Sequence, residues 1–179
     1  RGQYMQEAVP SGGAMAAVLG LDVETIEKIC ADTRGIVEIA NDNCPGQTVI
    51  SGEAEAVYLA GEAMKGAGAK RVAVLNVSGP FHSSMLKRAG ERLAPELERV
   101  CWLDSDIPYV SNTTAELIRD KGMIAPLLVR QISESVRWQQ DMKVMMDMGV
   151  EIFVEIGPGK TLAGFAKRIN RKIPCITIE

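Results

Sequence analysis

A single histidine, His82, stands among 179 residues, and no serine follows a glycine by two positions. The first scarcity rules out zinc sites that need several imidazoles: one histidine cannot complete a Cys2His2 set. The second rules out a G-x-S-x-G elbow, the strained turn that presents a serine nucleophile. The four cysteines, Cys30, Cys44, Cys101 and Cys175, contain no C-x-x-C pair. Free, mostly buried thiols in a reducing cytoplasm are therefore expected, with no metal site and no disulfide framework. No apolar run approaches the ~18 residues of a membrane helix. A net charge of −3 offers no basic face for nucleic acid. Neither nucleic acid nor membrane is an expected partner.

What is present is ordinary globular composition, 46% apolar and 24% charged, in a chain long enough to bury a sizeable core. Residues 14–75 read as β-α-β-β-α-β. Ala14–Leu21 is a short apolar strand, and Asp22 can cap a helix with Val23, Ile26, Ile29 and Cys30 on one face. Ile36–Ala40 and Gln47–Ser51 are strand candidates, joined by a loop, Asn41–Gly46, rich in turn residues. Glu53–Gly66 repeats apolar residues at helical spacing, although Gly61 weakens the pattern. Lys70–Leu75 completes the unit, whose order is that of a ferredoxin-like split βαβ motif.

Beyond residue 76 strands and helices alternate, which predicts a parallel sheet covered on both faces. A helical pattern runs over 84–100, where Pro95 should kink or interrupt it. Ile107–Val110 reads as a strand, Ile124–Ile132 as a helix, and Trp138–Met148 as a helix closed by Gly149. Glu151–Ile156, Thr161–Ile169 and Ile173–Ile178 follow as strand, helix and strand. The chain opens on Arg1-Gly2-Gln3-Tyr4-Met5 within a helical pattern and without a capping residue ahead of it. It is expected to be part of a longer polypeptide.

His82 lies in Val77-Ser78-Gly79-Pro80-Phe81-His82-Ser83-Ser84-Met85, after a strand and before a helix. The plain alternative is a structural histidine bonded to backbone. The chemical one is a general base beyond the carboxyl end of a strand, kept neutral by the positive end of the helix that follows. Gly157-Pro158-Gly159-Lys160-Thr161 looks like a phosphate loop, but Walker A needs glycine where Val154 stands, so a tight strand-to-helix turn is the better reading. Met142, Met145, Met146 and Met148 read as adaptable core packing.

Taken together, several short motifs resemble one family. They are Arg1-Gly2 with Met5-Gln6-Glu7-Ala8-Val9-Pro10, Gly13-Ala14-Met15-Ala16-Ala17, and Asn41-x-Asn43-x-Pro45-Gly46-Gln47. Gly79-Pro80-Phe81-His82-Ser83, Leu128-Val129-Arg130-Gln131 and Glu155-Ile156-Gly157-Pro158-Gly159-Lys160 complete the set. In order and spacing they resemble the malonyl-CoA:acyl-carrier-protein transacylases of fatty-acid synthesis. The resemblance implies an α/β fold: an α/β-hydrolase-like parallel-sheet subdomain (residues 1–13 and 76–179) with an inserted ferredoxin-like subdomain (14–75). It implies that the nucleophilic serine lies upstream of Arg1, in a missing N-terminal piece that would also be a partner. His82 would be the base, and Gln131 would orient it through its main-chain carbonyl. Arg1 would bind the malonyl carboxylate, Asn41 and Asn43 would line the substrate cleft, and Phe81 would leave little space for an α-methyl group. The implied partners are malonyl-CoA and acyl carrier protein, with no cofactor. A polyketide synthase acyltransferase fragment and a non-catalytic module that binds a carrier protein or another partner remain open alternatives.

Overall fold

The computed structural model describes residues 1–179, with helix α1 at Gly2–Ala8. Strand β1 (Gly13–Leu19), helix α2 (Val23–Asp32), strands β2 (Val37–Cys44) and β3 (Gln47–Glu53), helix α3 (Ala54–Gly66) and strand β4 (Arg71–Val74) follow. The four strands make one antiparallel sheet in the order β2-β3-β1-β4. Alternation along β1 turns Ala16 and Val18 towards α2 and α3, where they join Ile26, Ile50, Val57 and Met64 in a buried core. The Asp22 side chain accepts from the Thr25 N–H at 2.8 Å, so α2 begins where a capping acid satisfies a free amide.

Three local expectations change. The Asn41–Gly46 loop is mostly strand: β2 runs on to Cys44, and only Pro45 and Gly46 turn the chain, Gly46 at φ +70. The ladder absorbs the asparagines by shifting register between Ile39 and Asn41 and again between Asp42 and Cys44. Gly61 is not a weak point of α3. A Cβ there would lie 3.2 Å from Val72 Cγ1, so glycine lets the helix settle onto β4. Pro95 does not interrupt its helix: after a 3₁₀ turn at Ser84–Leu86, α4 continues from Lys87 to Glu98 with Pro95 inside it. Proline removes a single N–H, and only one further turn of helix follows.

The remaining elements are β5 (Tyr109–Ser111), β6 (Glu116–Ile118), α5 (Lys121–Arg130), α6 (Trp138–Asp147), β7 (Phe153–Ile156), α7 (Thr161–Ile169) and β8 (Cys175–Ile178). Of the expected parallel sheet the chain forms one parallel pair, β7 with β8. It is uncovered on one side, where Val154, Ile156, Ile176 and Ile178 are exposed. Strand β5 instead pairs antiparallel with β6, a strand too short and polar at its start to stand out in the sequence. Gly149, at φ +87, follows the end of α6 as expected of a C′ residue. Of the methionines on and after α6, Met142 is buried and Met148 is exposed. No helix is long and apolar enough to cross a membrane.

Candidate active site

His82 sits eight residues past β4, but β4 belongs to the antiparallel sheet. The rule that sites lie beyond the carboxyl ends of open parallel strands therefore does not explain its position. What places it is a strained turn. His82 has φ +57, a left-handed conformation that an L-residue holds only when its surroundings impose it. Several contacts do so. Ser83 Oγ donates to the Pro80 carbonyl at 2.7 Å and is fully buried. Gly13 at the start of β1 lies so close to Pro80 that a Cβ there would overlap the proline ring. The Ser84 N–H donates to a carboxylate oxygen of Glu38 on β2 at 2.6 Å.

The imidazole is oriented by a residue distant in sequence. His82 Nδ1 lies 2.9 Å from the main-chain carbonyl of Gln131, the residue that ends α5. A carbonyl can only accept, so Nδ1 carries the proton, and in the neutral ring Nε2 is left with its lone pair. Burial pushes the His82 pKa below the ordinary histidine value, with the Arg1 charge acting the same way, while the Gln131 and Glu134 carbonyls oppose them. The sequence suggested the following helix as the cause of this depression; burial is the larger one. The ring is neutral at pH 7, the state a general base requires.

Arg1, Asn41, Phe81 and His82 line one cavity of about 510 Å³, floored by Met5 and Met15. Gln131 is bonded to two of them, because its side-chain Oε1 accepts from the Arg1 guanidinium. Arg1 forms no ion pair, so its charge is uncompensated within the chain. Asn43 is the exception among the expected residues. It is buried on β2 at the second register shift, between Asp42 and Cys44, and does not line this cavity. The edge of β2 is in turn bonded to the segment after Gln131, through Val136 N–H to Ala40 O and Asp42 N–H to Val136 O.

Two more groups bear on function. The Glu155 carboxylate accepts from the Leu162 and Ala163 N–H groups at 3.0 and 2.8 Å. The amides at the start of α7 that a phosphate would bind are thus already taken, in keeping with a turn and not a phosphate loop. Asp141 on α6 is buried with Oδ1 unpartnered, and burial pushes its pKa up to about 7 although Arg137 opposes the shift. All four cysteines are free. Cys30 and Cys44 are buried and Cys101 is exposed, so the thiols are less uniformly buried than expected.

A half-buried neutral histidine braced by a carbonyl, facing an arginine without an ion pair across a cleft, is an arrangement suited to moving protons beside an anionic group. The chain belongs to the acyl transferase domain family, which it matches over residues 1–172. It is 43% identical over 183 aligned positions to the malonyl CoA-acyl carrier protein transacylase of Bacillus subtilis (strain 168), an alignment covering 100% of this chain and 58% of that protein. An acyl carrier protein S-malonyltransferase from Vibrio cholerae superposes with TM-score 0.97 at 41% identity, covering 100% of this chain and 60% of that one. A malonyl-transacylase in complex with its type II PKS acyl-carrier protein superposes with TM-score 0.96 at 41% identity, covering 99% and 58%. The chain therefore spans about three-fifths of the length of these relatives, and its fold has their mixed α/β character.

Proposed function

We propose that this chain supplies the base and the carboxylate-binding side of a malonyl transferase that moves malonyl from malonyl-CoA to the phosphopantetheine thiol of an acyl carrier protein. The observation that carries the reading is the bond from His82 Nδ1 to the Gln131 carbonyl, with Arg1 across the same cleft. The nucleophile is a serine outside these 179 residues. None of the chain's own serines is hydrogen-bonded to His82, and the named relatives are longer than this chain.

In the first half-reaction His82 Nε2 takes the serine proton as Oγ attacks the thioester carbonyl. The C–S bond breaks, and the imidazolium returns that proton to the departing CoA sulfur, leaving a malonyl-serine ester. In the second, His82 takes the proton of the carrier thiol, the sulfur attacks the ester carbonyl, and the C–O bond breaks. The proton then goes back to serine Oγ. The Gln131 carbonyl stabilises the transient imidazolium at Nδ1, the part that a carboxylate plays in a Ser-His-Asp triad. The guanidinium of Arg1 offers a planar fork to the malonyl carboxylate. Phe81 narrows the cleft near the acyl group, and Asn41 provides polar lining.

The same reading divides the chain into an α/β-hydrolase-like subdomain (1–13 and 76–179) with a ferredoxin-like insertion (14–75). The β2-β3-β1-β4 order of the antiparallel sheet supports the insertion. A cytoplasmic setting belongs to the proposal too, supported by four unpaired thiols.

The test is substrate preference in the full-length protein. A charge-assisted contact contributes ~1.5–3 kcal/mol, so Arg1→Ala should lower kcat/KM for malonyl-CoA by roughly 10- to 150-fold. Acetyl transfer should hold or rise, and Arg1→Lys should rescue only in part. An equal fall for both substrates would mean that Arg1 does not read the carboxylate.

A further inference from the structure

Gln131 is bonded at three points. Its N–H closes α5 onto the Leu127 carbonyl at 2.9 Å, its main-chain carbonyl accepts from His82 Nδ1 at 2.9 Å, and its side-chain Oε1 accepts from the Arg1 guanidinium. The first two need only backbone and leave the choice of side chain free. The third depends on glutamine. This bond is the only side-chain hydrogen bond that Arg1 makes, and Arg1 has no carboxylate partner.

A neutral partner is what an anion-reading arginine requires. A nearby glutamate would hold the guanidinium equally well but would cancel its charge and occupy the fork. An apolar residue would leave a long side chain free to sample many rotamers, and that entropy would be lost on each binding event. An amide oxygen fixes the direction of one N–H and leaves the charge and the remaining donors for the substrate. Because the same residue orients His82, the base and the anion reader are held to one rigid point, the last turn of α5.

We propose that the Gln131 side chain is a positioning and specificity-determining group: it aims Arg1 and so sets the preference for acyl groups that bear a carboxylate. This rests on the reading of Arg1 given above. It adds a role that the main-chain carbonyl alone would not have.

The experiment compares kcat/KM for malonyl-CoA and acetyl-CoA in the full-length protein with Gln131→Leu, Gln131→Glu and Arg1→Ala, singly and with Gln131→Leu and Arg1→Ala combined. The ratio of malonyl to acetyl kcat/KM should fall about tenfold in Gln131→Leu, the weight of one charge-assisted bond at a half-exposed site. The fall should appear mainly in KM for malonyl-CoA. It should be at least as large in Gln131→Glu, which keeps size and backbone but places a competing carboxylate against Arg1. Should the leucine variant fail to fold, the glutamate variant decides alone. In the double variant the ratio should drop no further than in Arg1→Ala, because both changes remove one interaction. If both Gln131 variants keep the ratio within twofold of the parent while Arg1→Ala collapses it, the positioning role is wrong and the reading of Arg1 stands. If Arg1→Ala leaves the ratio unchanged, both fall.

Discussion

The Glu38 carboxylate on β2 accepts a hydrogen bond from the Ser84 N–H at 2.6 Å, fastening the edge strand of the antiparallel sheet to the turn that carries His82. The two residues are far apart in sequence, and neither belongs to a recognisable motif. The contact holds a backbone whose histidine sits at φ +57.

Replacing Glu38 should therefore act on both stability and activity. Glu38→Ala should destabilise the protein by about 0.5–1.5 kcal/mol, the net weight of one hydrogen bond, measured by urea unfolding. It should also slow acyl transfer, because the turn relaxes and Nδ1 loses its alignment. Glu38→Gln, which can still accept, should recover most of both losses. Full activity in the alanine variant would show that the turn holds His82 without Glu38.

Much of this arrangement is legible in the sequence, for local reasons. Thr161–Ile169 appears as expected because its apolar spacing and the glycines before it are all local signals. Asp22 announces α2 for the same reason. The Asn41–Gly46 loop misleads because turn-forming residues are tolerated in a bulged edge strand once its ladder is supplied from elsewhere. The parallel sheet is legible only in part: β7 and β8 pair as expected, but alternation of strands and helices does not say that β5 will pair antiparallel with β6. For the site, the motifs single out Arg1, Asn41, Phe81, His82 and Gln131, together with Asn43, which lies outside the cavity. Glu38 and the side-chain role of Gln131 are invisible in the motifs, since each depends on a contact between distant segments.

Asp141 gives the fold a dependence on pH. Its carboxyl is pushed up to about 7 by burial, from an ordinary value of 3.8. The native chain thus keeps a proton that the unfolded chain releases, and between these values stability falls as pH rises. Its protonated form contributes fully below about pH 4, and that contribution is lost once pH passes the folded value near 7. Asp141→Asn cannot titrate. Its stability relative to the parent should therefore rise between pH 4 and pH 8, by about 4 kcal/mol at most and on the order of 2 kcal/mol after discounting for solvent screening. Urea unfolding at several pH values reads this directly, and a constant difference across the range would show that the carboxyl is charged in the folded protein.

The central claim is that His82 is the base, and the most direct measurement is malonyl transfer from malonyl-CoA to carrier protein by the full-length protein, with and without His82, across pH. The parent should show an acid limb whose midpoint lies below 6.5, the ordinary histidine value, because burial disfavours the imidazolium. His82→Ala should lower the rate by ~10²–10⁴-fold, and the limb should disappear from what activity remains. A His82→Ala protein that transfers malonyl within a few-fold of the parent, with the same acid limb, would contradict the account.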